Sequence, residues 1–175
     1  MGIISRARQL LNPTILRQLY YSFLYPYLTY CLIIWGQTSE TTLTPIFRLQ
    51  KRAIRLIKGL RRRDSTKILC KNLKILRLPE LYKFTVLIWM YKFKNGLLPP
   101  TFHDFYQTNS SYHHYPTRRS NHLRGPQTKT KLAQTFIRNT GAIIWNEFSN
   151  ILDHTSSINV FKQSAINVLI SRYDL

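Results

Sequence analysis

Seven carboxylates bound the chemistry open to this chain of 175 residues. Glu40, Asp64, Glu80, Asp104, Glu147, Asp153 and Asp174 are scattered, with no Asp-Asp or Asp-x-Asp pair. Two-metal phosphoryl transfer needs two or three such groups converging on the ions. This spacing supplies none, and most of the seven read as helix caps or solvated positions. Of five histidines, His113, His114 and His122 share one polar stretch and His103 precedes it. Structural zinc usually takes thiolates at CxxC-like spacing, and Cys31 and Cys70 lie far away in sequence. The histidines therefore read as polar loop residues within reach of a phosphate. Cys31 sits in an apolar run and is expected to pack as a small hydrophobe. Cys70, beside Lys67 and Lys71, could carry a lowered pKa, but a catalytic thiol needs a base and an orienting partner, and neither is identifiable. GxSxG, Walker and GxGxxG motifs do not occur. No catalytic residue, metal or other cofactor is expected.

The cations offer more. Lys and Arg number 26 against seven Asp and Glu, a net charge of +19, and fifteen of them fall between Arg48 and Lys94, where only Asp64 and Glu80 oppose them. Such a density repels itself unless a polyanion screens it. Nucleic acid is the default partner and an anionic membrane surface the rival. A disordered basic tail is excluded, because 44% of the chain is hydrophobic and 13% aromatic. At about 100° per residue, Arg48, Lys51, Arg52, Arg55 and Lys58 fall within roughly 120° of a helix. Ile46, Phe47, Leu49, Ala53, Ile54, Leu56 and Ile57 take the other side, and Arg61, Arg62 and Arg63 prolong the charge past its end. Solvated faces ordinarily mix signs, yet no acid occurs between Glu40 and Asp64. Phosphate binding, with Arg forks gripping bidentately, is the reading taken; plain solvation is the alternative. No base-specific readout is indicated.

An amphipathic helix must present that face. Thr44-Pro45 starts it and Gly59 stops it, which predicts a helix over 45–58. Asn12 before Pro13 opens a first helix over about 13–25, with Ile15, Leu16, Leu19, Tyr20 and Phe23 at helical spacing. Pro26 kinks or restarts it, a second segment runs to Trp35, and QTSETTLT reads as a polar linker. Asp64 or Ser65 caps a shorter helix over STKILCKNL. Pro79 opens a long one closed by Gly96, apolar over most of its circumference and therefore central. TFHDFY forms at most a turn or two. The chain turns polar over 107–131, a long loop. Extended pieces near 121–124 and 133–138 could pair as a hairpin. A short helix is expected over 141–151. Ser156 or Ser157 caps the last helix, with Ile158, Phe161, Ala165, Val168 and Leu169 on its apolar side.

The expected fold is mainly α: a helical bundle over 1–106, a loop with one small hairpin over 107–140, and C-terminal helices over 141–175. From Gln18 to Ser39 no residue is charged over 22 positions, a length able to span a bilayer. Ser22, Pro26, Thr29 and five tyrosines inside it argue instead for a buried, Pro-kinked helix pair, so no membrane span is expected. Those tyrosines (Tyr20, Tyr21, Tyr25, Tyr27 and Tyr30) could stack nucleobases. Their near-helical spacing points rather to core packing with hydroxyls at the rim. Two cysteines without a framework fit a reducing setting, and Arg6, Arg8 and Arg17 break any signal-like start. The expected location is intracellular, in nucleus or cytoplasm.

Several short runs, taken in order, resemble a known family. Tyr21-Ser22, then Pro26-Tyr27-Leu28-x-Tyr30-Cys31, Trp35-Gly36 and Leu49-Gln50-Lys51-Arg52-Ala53-Ile54-Arg55 resemble reverse transcriptases of non-LTR (LINE-type, jockey-like) retrotransposons, just downstream of the polymerase palm. Asn95-Gly96-Leu97-Leu98-Pro99, Tyr115-Pro116-Thr117-Arg118, Gly141-x3-Trp145-Asn146 and Ser157-Ile158-x2-Phe161-Lys162 are similar to later parts of that region. The specificity lies in order and spacing, which cover nearly the whole chain. The resemblance implies a thumb-like helical bundle whose basic face grips the backbone of RNA or an RNA–DNA duplex, beside the palm and fingers of a parent polymerase. The paired-aspartate motif Tyr/Phe-x-Asp-Asp has no counterpart here, so the chain alone is expected not to polymerise. A Met1 start within such a polymerase implies a truncated copy or a gene-model fragment. The other functions weighed are a basic membrane-surface protein and an exapted protein-interaction module.

Overall fold

Asn12 and Pro13 start a helix as their chemistry requires. In the computed structural model, which describes residues 2–61, 63–111, 118–152 and 157–174, Asn12 Oδ1 accepts the Ile15 N–H at 3.0 Å. A short α1 (Gly2–Ala7) precedes this start. Helix α2 (Pro13–Leu19) widens into a π-helical turn over Tyr20–Leu24 and continues as α3 (Tyr25–Thr29). The widened turn falls just ahead of Pro26, which has no N–H to continue an α-helical ladder. Cys31, at φ 49°, turns the chain before α4 (Leu32–Trp35). The uncharged run is thus broken into short pieces, and among the described residues no helix is long and apolar enough to cross a membrane.

Helix α5 (Glu40–Lys58) begins five residues before its expected start. QTSETTLT is therefore not a linker: Ser39 is the N-cap, its Oγ accepting the Thr42 N–H at 3.4 Å, and Pro45 lies inside the helix. The missing Pro45 N–H leaves the Thr41 carbonyl without its i+4 donor, while Thr44 Oγ1 donates to the Glu40 carbonyl at 2.7 Å. At the other end Gly59 takes φ 72°, a left-handed stop as expected. Neither Asp64 nor Ser65 is the N-cap of α6 (Lys67–Asn72). Thr66 holds that position, Ser65 Oγ accepts the Lys67 N–H at 3.4 Å, and Asp64 Oδ2 turns back to the Arg61 N–H at 2.7 Å. Helix α7 (Leu78–Lys94) matches its expected span, with Gly96 at φ 65° just beyond it.

The fold is mainly α, and its two strands are brief. β1 (Gln107–Thr108) pairs antiparallel with β2 (Leu123–Arg124), Gln107 opposite Arg124. The extended piece at 121–124 thus finds its partner upstream. The partner expected for it, 133–138, is helical instead, split between α8 (Lys131–Thr135) and the first residues of α9 (Ile137–Phe148). Thr130 explains the difference, since its Oγ1 accepts the Ala133 N–H at 3.2 Å and caps α8. Helix α9 also starts four residues before Gly141. That glycine is buried where a Cβ would overlap Tyr106 Oη and sit 2.9 Å from Met90 Sδ. Helix α10 (Ile158–Ser171) buries Phe161, Ala165 and Leu169 as expected. Ser156, a proposed cap, lies outside the described residues.

Two compact units interleave along the chain. One holds Met1–Leu32, Thr38–Tyr82 and Asn167–Leu175; the other holds Ile33–Gln37 and Lys83–Ile166. Leu16, Tyr20, Ile54, Ile57, Ile75, Leu81 and Leu169 are fully buried in the first. Leu87, Met90, Phe148 and Phe161 are fully buried in the second, where Trp89 meets the rings of Phe102 and Tyr106 edge-on at 5.8 and 5.9 Å. Each fully buried Leu or Phe contributes about 1.5–3 kcal/mol.

Candidate nucleic-acid interface

Helix α5 fixes its own orientation by what it buries. Gln50, Ala53, Ile54 and Ile57 face inward, and the opposite side carries the cations. Arg48, Arg52 and Lys58 are exposed, whereas Lys51 and Arg55 are half-buried. The two half-buried cations have local partners. Lys51 Nζ lies 3.9 Å from the centre of the Phe47 ring, and Arg55 Nε donates to the Asp64 carbonyl at 2.9 Å. The expected apolar side has one departure: Leu49 is 51% exposed, because it lies on the flank between Arg52 and the buried stripe. From Arg48 to Lys58 the face runs about 15 Å.

Ion pairs join Arg77 to Glu80 and Lys83 to Glu147. Among the described residues none joins a carboxylate to any of the five cations of α5. Asp64, the nearest acid in sequence, points one oxygen at the Arg61 amide. Arg61 and Arg63 follow the helix, both exposed; Arg62 lies outside the described residues. From Arg48 to Arg63 the exposed charges are all cationic among the described residues, which suits rows of phosphates and repels cationic partners.

Gln50, which periodicity alone does not mark as a site, is the polar centre of the buried side. Its Nε2 donates to Tyr20 Oη at 3.1 Å and to the Leu76 carbonyl at 2.9 Å, while its Oε1 accepts the Leu78 N–H at 2.8 Å. One side chain thus satisfies the opening amide of α7 and ties it to α5. The signal was available, since Gln50 precedes Ala53, Ile54 and Ile57 by three, four and seven residues, on one helical stripe.

Other candidates fall elsewhere than expected. Cys31 is exposed rather than packed, because the left-handed turn at its position carries it out of the helical run. Cys70 is buried, and burial pushes its thiol up to about 11 from 9.0, against the lowered value that Lys67 and Lys71 suggested. Desolvation outweighs the nearby cations there. Tyr20 is fully buried, with burial raising its pKa, and Tyr21 packs between Tyr20 and Tyr25 at 5.3 and 5.2 Å. Tyr27 and Tyr30 are 81% and 76% exposed, so the core reading of the tyrosines does not extend to them. His103 is exposed and His122 half-buried, while His113 and His114 lie outside the described residues, as do Tyr115, Pro116 and Thr117. Among the described residues no three of His, Cys, Asp and Glu come together as metal ligands. Compared with known proteins, the chain matches no family model, no curated protein and no solved structure.

Proposed function

We propose that this chain binds RNA and RNA–DNA duplexes through the sugar-phosphate backbone, as the thumb-like, C-terminal part of a non-LTR retrotransposon reverse transcriptase would. The observation that carries the reading is the cationic side of α5. Arg48, Arg52 and Lys58 stand exposed on one face, and no acid opposes them among the described residues. Solvated faces ordinarily mix signs, yet this side holds no Glu or Asp between Arg48 and Lys58, the one acid of the helix being Glu40 in its first turn. The chain grips and does not polymerise, since its seven carboxylates are scattered and include no Asp-Asp pair. Primer extension with Mg²⁺ and nucleotides should therefore yield no product. The binding half is tested by titrating a labelled RNA–DNA hybrid across salt concentrations. Log affinity should fall linearly with log salt, with a slope of about −0.9 for each phosphate neutralised. Reversing Arg48, Arg52 and Lys58 to Glu together should lower affinity on the order of a hundredfold at low salt. Unchanged affinity would end the proposal.

A further inference from the structure

We infer that Arg8 is a further phosphate contact, brought to the end of α5 by the fold of the N-terminal helix; the inference rests on the nucleic-acid reading of α5. Helix α1 packs against α5, with Ile4 buried and Arg8 exposed just past its C-terminus. The guanidinium of Arg8 lies over Gly59: the point where a Cβ of that residue would stand is 3.6 Å from Nη2 and 3.8 Å from both Cζ and Nε. Three nearly equal distances mean that the planar group lies face-on across the glycine. Gly59 is required there by its φ of 72°, so the bare backbone and the guanidinium share one spot.

A cation over a helix C-terminus is stabilised by the macrodipole, and that alone would explain one arginine. It does not explain four. Arg8, Lys58, Arg61 and Arg63 gather around this one helix end, all exposed. Against them stand Asp64 and a helix terminus equivalent to about −0.5 charge, leaving roughly +2.5 unmet. Among the described residues no carboxylate pairs with Arg8. The chemistry that completes such a cluster is an oxyanion, and beside the row of cations on α5 the next phosphates of the same backbone supply it. Arg8 would extend the 15 Å face by a group that the sequence places about fifty residues away.

The test uses the intact chain and a labelled RNA–DNA hybrid across a salt series, with Arg8→Gln, Arg8→Lys, the pair Arg48→Glu/Arg52→Glu, and Lys129→Gln as a control for net charge. Arg8 is exposed, so its substitutions leave the fold intact, as circular dichroism checks. Arg8→Gln should weaken binding several-fold and lower the salt slope by about one, while Arg8→Lys keeps the slope. Lys129→Gln should match the wild type. If Arg8→Gln behaves like Lys129→Gln while Arg48→Glu/Arg52→Glu loses binding, the inference about Arg8 falls and the α5 reading stands. An equal loss of slope in Arg8→Lys and Arg8→Gln also overturns it. If the α5 pair leaves binding intact, both fall together.

Discussion

Helices α5 and α7 are of similar length and both carry cations, yet acids answer the cations at the start of α7 and none of the five on α5. At the start of α7 the cations are matched: Arg77 Nη2 and Glu80 Oε1 lie 2.5 Å apart, and Lys83 reaches Glu147 at 3.8 Å, while Lys92 and Lys94 in its last turn are exposed. On α5 the cations reach a ring or a carbonyl, or nothing but solvent. The buried sides differ in the same sense. Helix α7 buries Leu78, Leu81, Val86, Leu87, Met90 and Tyr91, whereas α5 buries fewer apolar groups and a glutamine. Where α7 enters the core its cations are answered, while the cations of α5 stand open along the middle of the helix, where a polyanion can meet them.

Removing the link between the two helices should have the largest effect. Gln50→Leu keeps the volume but strands the Leu78 N–H, the Leu76 carbonyl and Tyr20 Oη in the interior. Each unsatisfied group costs about 1–3 kcal/mol, so denaturant unfolding should show a loss of about 3 kcal/mol or more. A loss below about 1 kcal/mol would mean that water reaches the site and that the buried side of α5 is not sealed.

The pH dependence sharpens the same point. Cys70 feels Arg77 and Glu80 at the start of α7 and Lys51 on α5, but burial dominates and holds the thiol up to about 11 against 9.0. Its folded pKa lies above its unfolded one, so this stabilisation is complete below pH 9 and is lost as pH rises through 11. Tyr20 and Tyr173, both raised by burial, act in the same direction at higher pH. Stability should fall by up to about 3 kcal/mol across the Cys70 window, and Cys70→Ser should flatten that part of the curve. At neutral pH an alkylating reagent should modify Cys31 and leave Cys70 intact until the chain unfolds; equal rates would refute the buried placement.

Tyr173 tests the start of α7 from its other side. Its hydroxyl oxygen accepts the Arg77 N–H at 2.9 Å and the hydroxyl donates to Glu80 Oε2 at 3.5 Å, while the Arg77 guanidinium stacks 4.4 Å from the ring. Tyr173→Phe keeps the stack and strands one half-buried amide, so thermal unfolding should report about 1 kcal/mol. A null effect would show that water replaces the hydroxyl at the Arg77 amide.

What could be read from the residues beforehand follows from how local each cause is. Gly59 and Gly96 end their helices through their own backbone freedom, and the cationic arc of α5 follows from period alone, so all three were legible. The start of α5 is masked because Thr44-Pro45 has the form of a start signal, while Ser39 caps the helix five residues earlier and Thr44 Oγ1 bonds back to the Glu40 carbonyl. The strand expected over 133–138 lost to the Thr130 cap, a single hydroxyl outweighing a weak extended pattern. The capping of α7 was out of reach. Its donors meet Gln50 from 28 residues away and Tyr173 from 96, and no local pattern encodes either meeting. The half-burial of Arg55 has no local signal either, because it depends on where the turn after α5 places the Asp64 carbonyl.

The smallest expected effect discriminates best between the two helices. Lys83 and Glu147 are each 38% exposed and 3.8 Å apart, so solvent screens the pair and it contributes within about 0.5 kcal/mol. Lys83 Nζ also stands 5.9 Å from the Phe148 ring centre, a distance at which cation–π attraction adds little. Lys83→Gln should therefore leave the unfolding midpoint nearly unchanged and, because Glu147 already answers that charge, leave the salt slope for RNA–DNA binding unchanged as well. Arg52→Gln removes one charge of the same sign from α5 and should lower the slope by about one. If the two substitutions lowered it equally, net charge rather than placement would govern binding, and the distinction between an answered and an open cation would lose its force.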